Sequence, residues 1–260
     1  MKIGIFDSGI GGLSVLHRAL IKVPEAEYIY YADKAHVPYG EKDTEELKGY
    51  IKEILQFFLD QEVDGIIIAC NTATSVTKKE FREQFPVPIV GMEPAVKRAL
   101  DLYGSTQKRI LVAATPITIA GEKLRNLLEK VDVDHQVDRI ALPMLVRFAE
   151  AGDFNNPEIE AYLEKELAQF DLGNYEALVL GCTHFNYFKK HFRKVFPGEI
   201  HFVDGNEGTL CQLERKMTKV STNDNGSKVT YYYSGRRVTE EEMKDIEKYM
   251  EQLETVYYME

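Results

Sequence analysis

The residues best placed to do chemistry in this sequence are two cysteines that follow similar apolar runs. Ile66-Ile67-Ile68-Ala69 leads into Cys70-Asn71-Thr72, and Ala177-Leu178-Val179-Leu180-Gly181 leads into Cys182-Thr183-His184. Short unbroken apolar runs suit strands buried on both faces of a parallel sheet. In open α/β sheets ligands sit beyond the carboxyl ends of such strands. Each thiol is therefore expected beside a ligand, next to a threonine. A free thiol titrates near pH ~8.5, so its acid and base forms are both within reach at neutral pH.

Three chemistries are open to this pair. Zinc ligation by Cys70, Cys182 and His184 would need an unusual spacing, because Cys182 and His184 are only two apart and no second cysteine pair exists. A nucleophilic Cys182 with His184 as its base would leave Cys70 without a task. Proton transfer at carbon uses both thiols. One removes a proton from one face of the carbon, the other delivers a proton to the opposite face, and the roles exchange in reverse. That route needs no cofactor and no metal. No lysine lies in these motifs, which speaks against a Schiff base. Cysteine is also a common core residue, but burial alone does not account for two thiols on matched strand ends.

The composition narrows the partners. The chain has 260 residues, 44% apolar and 28% charged, with a formal net charge of −10. That surface disfavours nucleic acid and anionic membranes as partners. An anionic substrate would have to be held by local groups against the overall field. No apolar run approaches the roughly 20 residues that span a bilayer, and the short apolar start does not read as a signal peptide. A cytoplasmic protein is expected, with Cys70, Cys182 and Cys211 reduced. Oligomeric state is left open, a homodimer included.

The elements that must position the thiols alternate. A strand over 2–6 ends at Asp7-Ser8-Gly9-Ile10-Gly11-Gly12, followed by a helix with Leu13, Leu16, Ala19 and Leu20 on one face. The glycines allow close approach to a ligand, and the N–H groups that open the helix are suited to an anion. The spacing fits neither a dinucleotide fingerprint nor a phosphate-binding P-loop, because position 14 is Ser14 and no Gly-Lys-Ser/Thr follows. A second strand at 27–32 leads into a polar loop with Pro38-Tyr39-Gly40, and a helix starts near Asp43. After the Cys70 strand come a helix over 75–85, a strand at 89–91 and a helix opening at Glu93-Pro94. Strands are expected at 109–114, 136–140 and 200–203, and helices at 118–130, 142–150, 157–170, 187–196 and 207–219. The stretch 221–228 is polar, 229–233 reads as a strand, and Thr239 with Glu242 offers a capping box for a last helix. The fold class is α/β: two similar lobes, each a mostly parallel sheet flanked by helices. The first lobe's edge is expected near position 95.

Taken together, Asp7-Ser8-Gly9-Ile10-Gly11-Gly12-Leu13-Ser14, Pro38-Tyr39-Gly40, Ala69-Cys70-Asn71-Thr72-Ala73 and Leu180-Gly181-Cys182-Thr183-His184 resemble the motifs of the glutamate racemases. These belong to the cofactor-independent aspartate/glutamate racemase superfamily. The resemblance implies interconversion of L- and D-glutamate, the latter for peptidoglycan, with the active site in the cleft between the two lobes and a C-terminal segment that returns to the first, so that the first lobe would comprise 1–95 plus 211–260 and the second 96–210. It implies that Cys70 and Cys182 are the acid/base thiols, with Asp7 assisting near Cys70, His184 near Cys182, and Glu150 supporting the histidine. It also implies that Ser8, Pro38, Tyr39, Gly40, Asn71, Thr72 and Thr183 hold substrate, joined by Thr115 or Thr118. Asp7 and His184 contribute to substrate binding as well. The sequence departs from the family pattern at Phe185-Asn186, and at Arg147, where the family often carries an apolar residue or proline. Racemisation of aspartate or another acidic amino acid, a related decarboxylation, and a two-lobe binding protein without turnover are the other readings.

None of the four motifs contains Arg or Lys. Substrate carboxylates are then held by hydroxyls, amides and backbone N–H groups, which salt screens less than exposed charges. The KM for an acidic amino acid is accordingly expected to change little between low and moderate salt at fixed pH. A steep rise in KM over that range would contradict it.

Overall fold

Alternating strands and helices place two sheets in this protein, which is known from a computed structural model describing residues 1–92, 95–217 and 228–259. The expected helix opening at Glu93-Pro94, residues 221–227 of the polar stretch and positions 218–219 lie outside the described residues. Among those described, the strands are β1 (Lys2–Asp7), β2 (Glu27–Ala32), β3 (Gly65–Ile68), β4 (Ile89–Gly91), β5 (Arg109–Ala114), β6 (Val137–Ala141), β7 (Tyr175–Leu180), β8 (His201–Val203), β9 (Lys228–Tyr233) and β10 (Arg236–Arg237). The first sheet runs β10-β9-β2-β1-β3-β4 and the second β6-β5-β7-β8. All pairings are parallel except β9 with β10. The last strands of the chain thus complete the first sheet, with Glu27 opposite Lys228.

The apolar runs are strands because both faces are covered. Ile66, Ile67 and Ile68 are fully buried. Side chains alternate along a strand, and the alternation sorts them into layers. Ile5 and Ile67 from the first sheet share one core with Leu111, Ala113, Leu178 and Leu180 from the second. The opposite faces feed separate clusters, Phe6 with Ile66 and Ile68 in one, Ile110 with Val112 and Val179 in the other. The helix Glu240–Tyr257 closes the shared core with Ile246 and Leu253.

Three expectations are corrected. The single helix over 75–85 is two, Asn71–Val76 and Lys79–Arg82. Thr77 leaves helical geometry between them, and its hydroxyl donates to the Ala73 carbonyl at 2.7 Å, the local bonding by which threonine competes with helix continuation. The helix over 118–130 is likewise two, Pro116–Ala120 and Glu122–Val131, parted by extended Gly121. The region after Cys182 begins as a 3₁₀ segment, Thr183–Phe188, and becomes α-helical only at Lys189–Val195. β10 was not anticipated; Ser234-Gly235, both at positive φ, makes the reversal.

The Thr239 cap is as the spacing indicates. Its hydroxyl accepts from the Glu242 N–H, and the Glu242 carboxylate accepts from the Thr239 N–H at 2.8 Å. Thr239→Ala is expected to cost about 1 kcal/mol of unfolding free energy, measured as a lower urea midpoint at unchanged slope.

Candidate active site

The two thiols arrive by the same local route. β3 ends at Ile68, and two residues on Cys70 is the N-cap of Asn71–Val76, where its sulfur accepts from the Ala73 N–H at 3.4 Å. β7 ends at Leu180, and Cys182 precedes the 3₁₀ segment. A cysteine in extended geometry at a strand-to-helix junction leaves its sulfur at the strand's carboxyl end. Both thiols are buried and free of disulfides. They line one cavity between the sheets, together with Ser8, Pro38, Tyr39, Gly40, Asn71, Thr72, Thr115, Thr183 and His184.

Asp7 and Glu150 stand behind this lining. Asp7 is fully buried at the end of β1, and its Oδ2 accepts from the N–H groups of Gly12 at 2.8 Å and Gly9 at 3.3 Å. Its Oδ1 accepts no hydrogen bond. Glu150 ends the helix Pro143–Glu150. Its Oε1 accepts from the Ile10 N–H at 2.7 Å and from His184 Nε2 at 2.6 Å. The glycine turn therefore gives its amides to side chains, not to an anion as its sequence suggested. The close approach that glycine permits is protein against protein. A Cβ on Gly9 would lie 1.8 Å from Glu150 Oε1, and one on Gly11 would lie 2.3 Å from His184 Nδ1.

The other ring nitrogen of His184, Nδ1, meets Cys182 Sγ at 3.7 Å. Cys70 Sγ donates to the Ser8 hydroxyl at 3.7 Å. Each sulfur thus has its own polar neighbour and its own carboxylate behind it. Burial pushes the Cys70 thiol well up, and negative charge on Asp7 and on Cys182 adds to the rise; the Ala73 N–H and Ser8 hydroxyl oppose it. Burial also raises Asp7, against the pull of His184 and the Gly12 and Gly9 amides. For His184 burial works against the charged form, but the bonds to Cys182 and Glu150 prevail and hold it well above the ordinary imidazole range. Glu150 is drawn below its usual range by His184, Ile10 and Lys34 despite burial. Lys34 Nζ lies 3.8 Å from Glu150 Oε2.

Hydroxyls line the rest. Thr72 and Thr115 share a hydrogen bond at 2.9 Å, and Thr115 Oγ1 donates to Thr118 Oγ1 at 3.0 Å. Thr118 itself is not in this lining; it borders a neighbouring cavity that shares Asn71. Asn71 Oδ1 is buried and accepts nothing. The Tyr39 phenol donates to Asp33 Oδ2 at 2.6 Å, so its proton is already engaged, and burial, with Asp33 beside it, keeps it protonated. Asp33 also accepts from Ser234 Oγ at 3.1 Å and meets His36 Nδ1 at 2.9 Å.

Sequence reasoning missed Glu41, Pro116, Pro143 and Val146, which complete the lining. Each adjoins a marked motif: Glu41 follows Pro38-Tyr39-Gly40, Pro116 follows Thr115, and Pro143 and Val146 lie in the stretch leading to Glu150. Asp33, which fixes the Tyr39 turn, carried no signal beyond its place after β2.

Residues 8–210 match the family model described as Asp/Glu/Hydantoin racemase. A glutamate racemase of Lachnospira eligens is 50% identical over 98% of this chain and 98% of its own. The crystal structure of glutamate racemase from Campylobacter jejuni superposes with a TM-score of 0.79 at 28% identity, covering 100% of both chains. That of glutamate racemase from Francisella tularensis in complex with D-glutamate gives 0.80 at 26% identity, covering 96% of this chain and 93% of the other. With paired thiols on two strand ends and a match that runs the length of the chain, this protein belongs to the Asp/Glu/hydantoin racemase family, among its glutamate racemases.

Proposed function

We propose that the protein interconverts L- and D-glutamate by proton transfer at Cα between Cys70 and Cys182. The carrying observation is that these two sulfurs, delivered by different sheets, line one cavity. A thiolate on one side takes the α-proton; the thiol on the other side donates its own to the opposite face, and the C–H bond re-forms with inverted configuration. Cys70, which burial favours as the neutral thiol, suits the donor role, with Asp7 and Ser8 to exchange its proton. His184 does the same for Cys182, oriented by Glu150. Both residues act as general acid or base according to direction.

Ser8, Asn71, Thr72, Thr115, Thr183 and the backbone of Pro38, Tyr39 and Gly40 would hold the substrate, with His184 contributing. Thr118 supports Thr115 through their hydroxyls. The Asn71 carbonyl oxygen, buried and without a donor, suits the substrate's ammonium group. The D-glutamate complex of the Francisella tularensis relative supports an acidic amino acid as the substrate. On this reading the two lobes are 1–95 plus 211–260 and 96–210, the product feeds peptidoglycan synthesis, and the enzyme works in the cytoplasm. Among the described residues no helix is long and apolar enough to cross a membrane.

Polarimetry with L- and D-glutamate, L-aspartate alongside and no added cofactor, tests the assignment. Racemisation of glutamate in deuterium oxide should place deuterium at Cα. Binding without exchange would leave only a binding protein, and preference for aspartate would move the assignment within the family. Cys70→Ser and Cys182→Ser should each remove most turnover while the far-UV circular dichroism stays native; near-normal rates in both directions from either variant would end the mechanism. Gly11→Ala should displace the His184 ring and lower kcat by about 10²-fold, as misplaced catalytic groups do, with the imidazole shift followed by NMR.

A further inference from the structure

Among the described residues that line the cavity, Glu41 alone, His184 and the thiols aside, carries a fixed charge, and its sign opposes a dicarboxylate. Glu41 closes the 3₁₀ turn Tyr39–Glu41, on the segment that follows β2 of the first sheet. A substrate with two carboxylates approaching this rim meets the Glu41 carboxylate on a chain whose formal net charge is already −10.

Arg147 answers that charge from the other side. It sits on the helix Pro143–Glu150, between β6 and β7 of the second sheet. Its Nη2 donates to Glu41 Oε1 at 2.8 Å and Oε2 at 2.9 Å. The same helix brings Pro143 and Val146 to the cavity wall and Glu150 to His184. The two side chains are 57% and 41% exposed. A pair so exposed contributes little to folding, so its effect is local to the rim it spans.

We propose that Arg147 determines the acceptance of acidic substrates by neutralising Glu41 at the mouth of the cavity. With the pair intact, the rim carries no net charge, and the hydroxyl and amide lining receives the substrate without a repulsive gate. With Arg147 removed, Glu41 faces the incoming carboxylates alone. This rests on the cavity being the glutamate site.

Steady-state racemisation by the full-length protein tests it. Arg147→Gln is expected to raise KM for glutamate roughly threefold to fivefold, the worth of one exposed charge pair, with kcat within about twofold. That increase shrinks as salt rises from 10 mM towards 500 mM, because the Debye length falls from ~30 Å to a few ångströms. Arg147→Lys keeps the KM near its original value. Glu41→Gln combined with Arg147→Gln brings the KM back down, as a coupled pair requires. An Arg147→Gln protein with unchanged KM, or a double variant with KM as high as the single, overturns the proposal. So does a loss confined to kcat, which would make Arg147 a mere tether. If the unaltered protein leaves glutamate unchanged, the reading of the cavity falls as well; if it racemises glutamate and Arg147→Gln is indifferent, only this proposal falls.

Discussion

One carboxylate oxygen, Glu150 Oε1, holds the two halves of the catalytic site in register. It accepts at once from the Ile10 backbone, which follows β1, and from His184, which follows β7. The Ile10 carbonyl in turn accepts from the Tyr187 phenol at 3.0 Å, and the Gly9 carbonyl from the Tyr30 phenol at 2.7 Å. The turn after β1 is thus gripped by residues from both sheets. Burying an ion pair is expensive unless its remaining polar positions are met, and here an amide and a lysine ammonium supplement the imidazolium. The pair stabilises the fold most fully between the unfolded carboxylate and imidazole values, about 4.3 and 6.5. Its contribution falls at higher pH as His184 deprotonates at its own raised value. It falls at lower pH as Glu150 gains a proton at its depressed one.

The packing makes this joint firm. Alternate residues of β1, β3, β5 and β7 enter a single core shared by both sheets, capped by the C-terminal helix. The relative position of the strand ends, and so of the sulfurs, is set by side chains such as Ile67 and Leu178 rather than by a linker. Interiors packed to crystal-like density move as a unit. Variation in the site is therefore left to its rim, where the Tyr39–Glu41 turn and the helix Pro143–Glu150 face each other through exposed groups.

Much of this was legible in the sequence because it was written in local terms. The triple isoleucine at 66–68, the matching run at 177–180 and the reciprocal Thr239–Glu242 spacing each declare an element without reference to the rest of the chain. Cys70 and Cys182 declared themselves by where those runs stop. What the sequence did not reveal depends on which side chains the fold brings into contact, near or far along the chain. The sequence marks Tyr39 as a substrate residue, but the partner of its phenol, Asp33, is visible only in the folded turn. The amides of the glycine turn go to Asp7 and Glu150 because the second sheet brings Glu150 there. The break at Thr77 turns on one side-chain hydrogen bond that competes with the helix, which periodicity does not register.

The place of β9 has a bearing on how the protein is made. β2 remains an edge strand until Lys228–Tyr233 pairs beside it, and parallel pairing across so long a stretch of chain is slow. On the ribosome, the N-terminal strands emerge with the backbone of Glu27–Ala32 unprotected, and they stay so until the chain has been made as far as Tyr233. During that interval the Asp33 carboxylate that steadies the Tyr39 turn lacks one of its donors, the Ser234 hydroxyl. A nascent chain stalled before β9 would present an open strand edge, the surface most prone to pairing with a neighbour. The finished cleft is consequently one of the last features of the molecule to form.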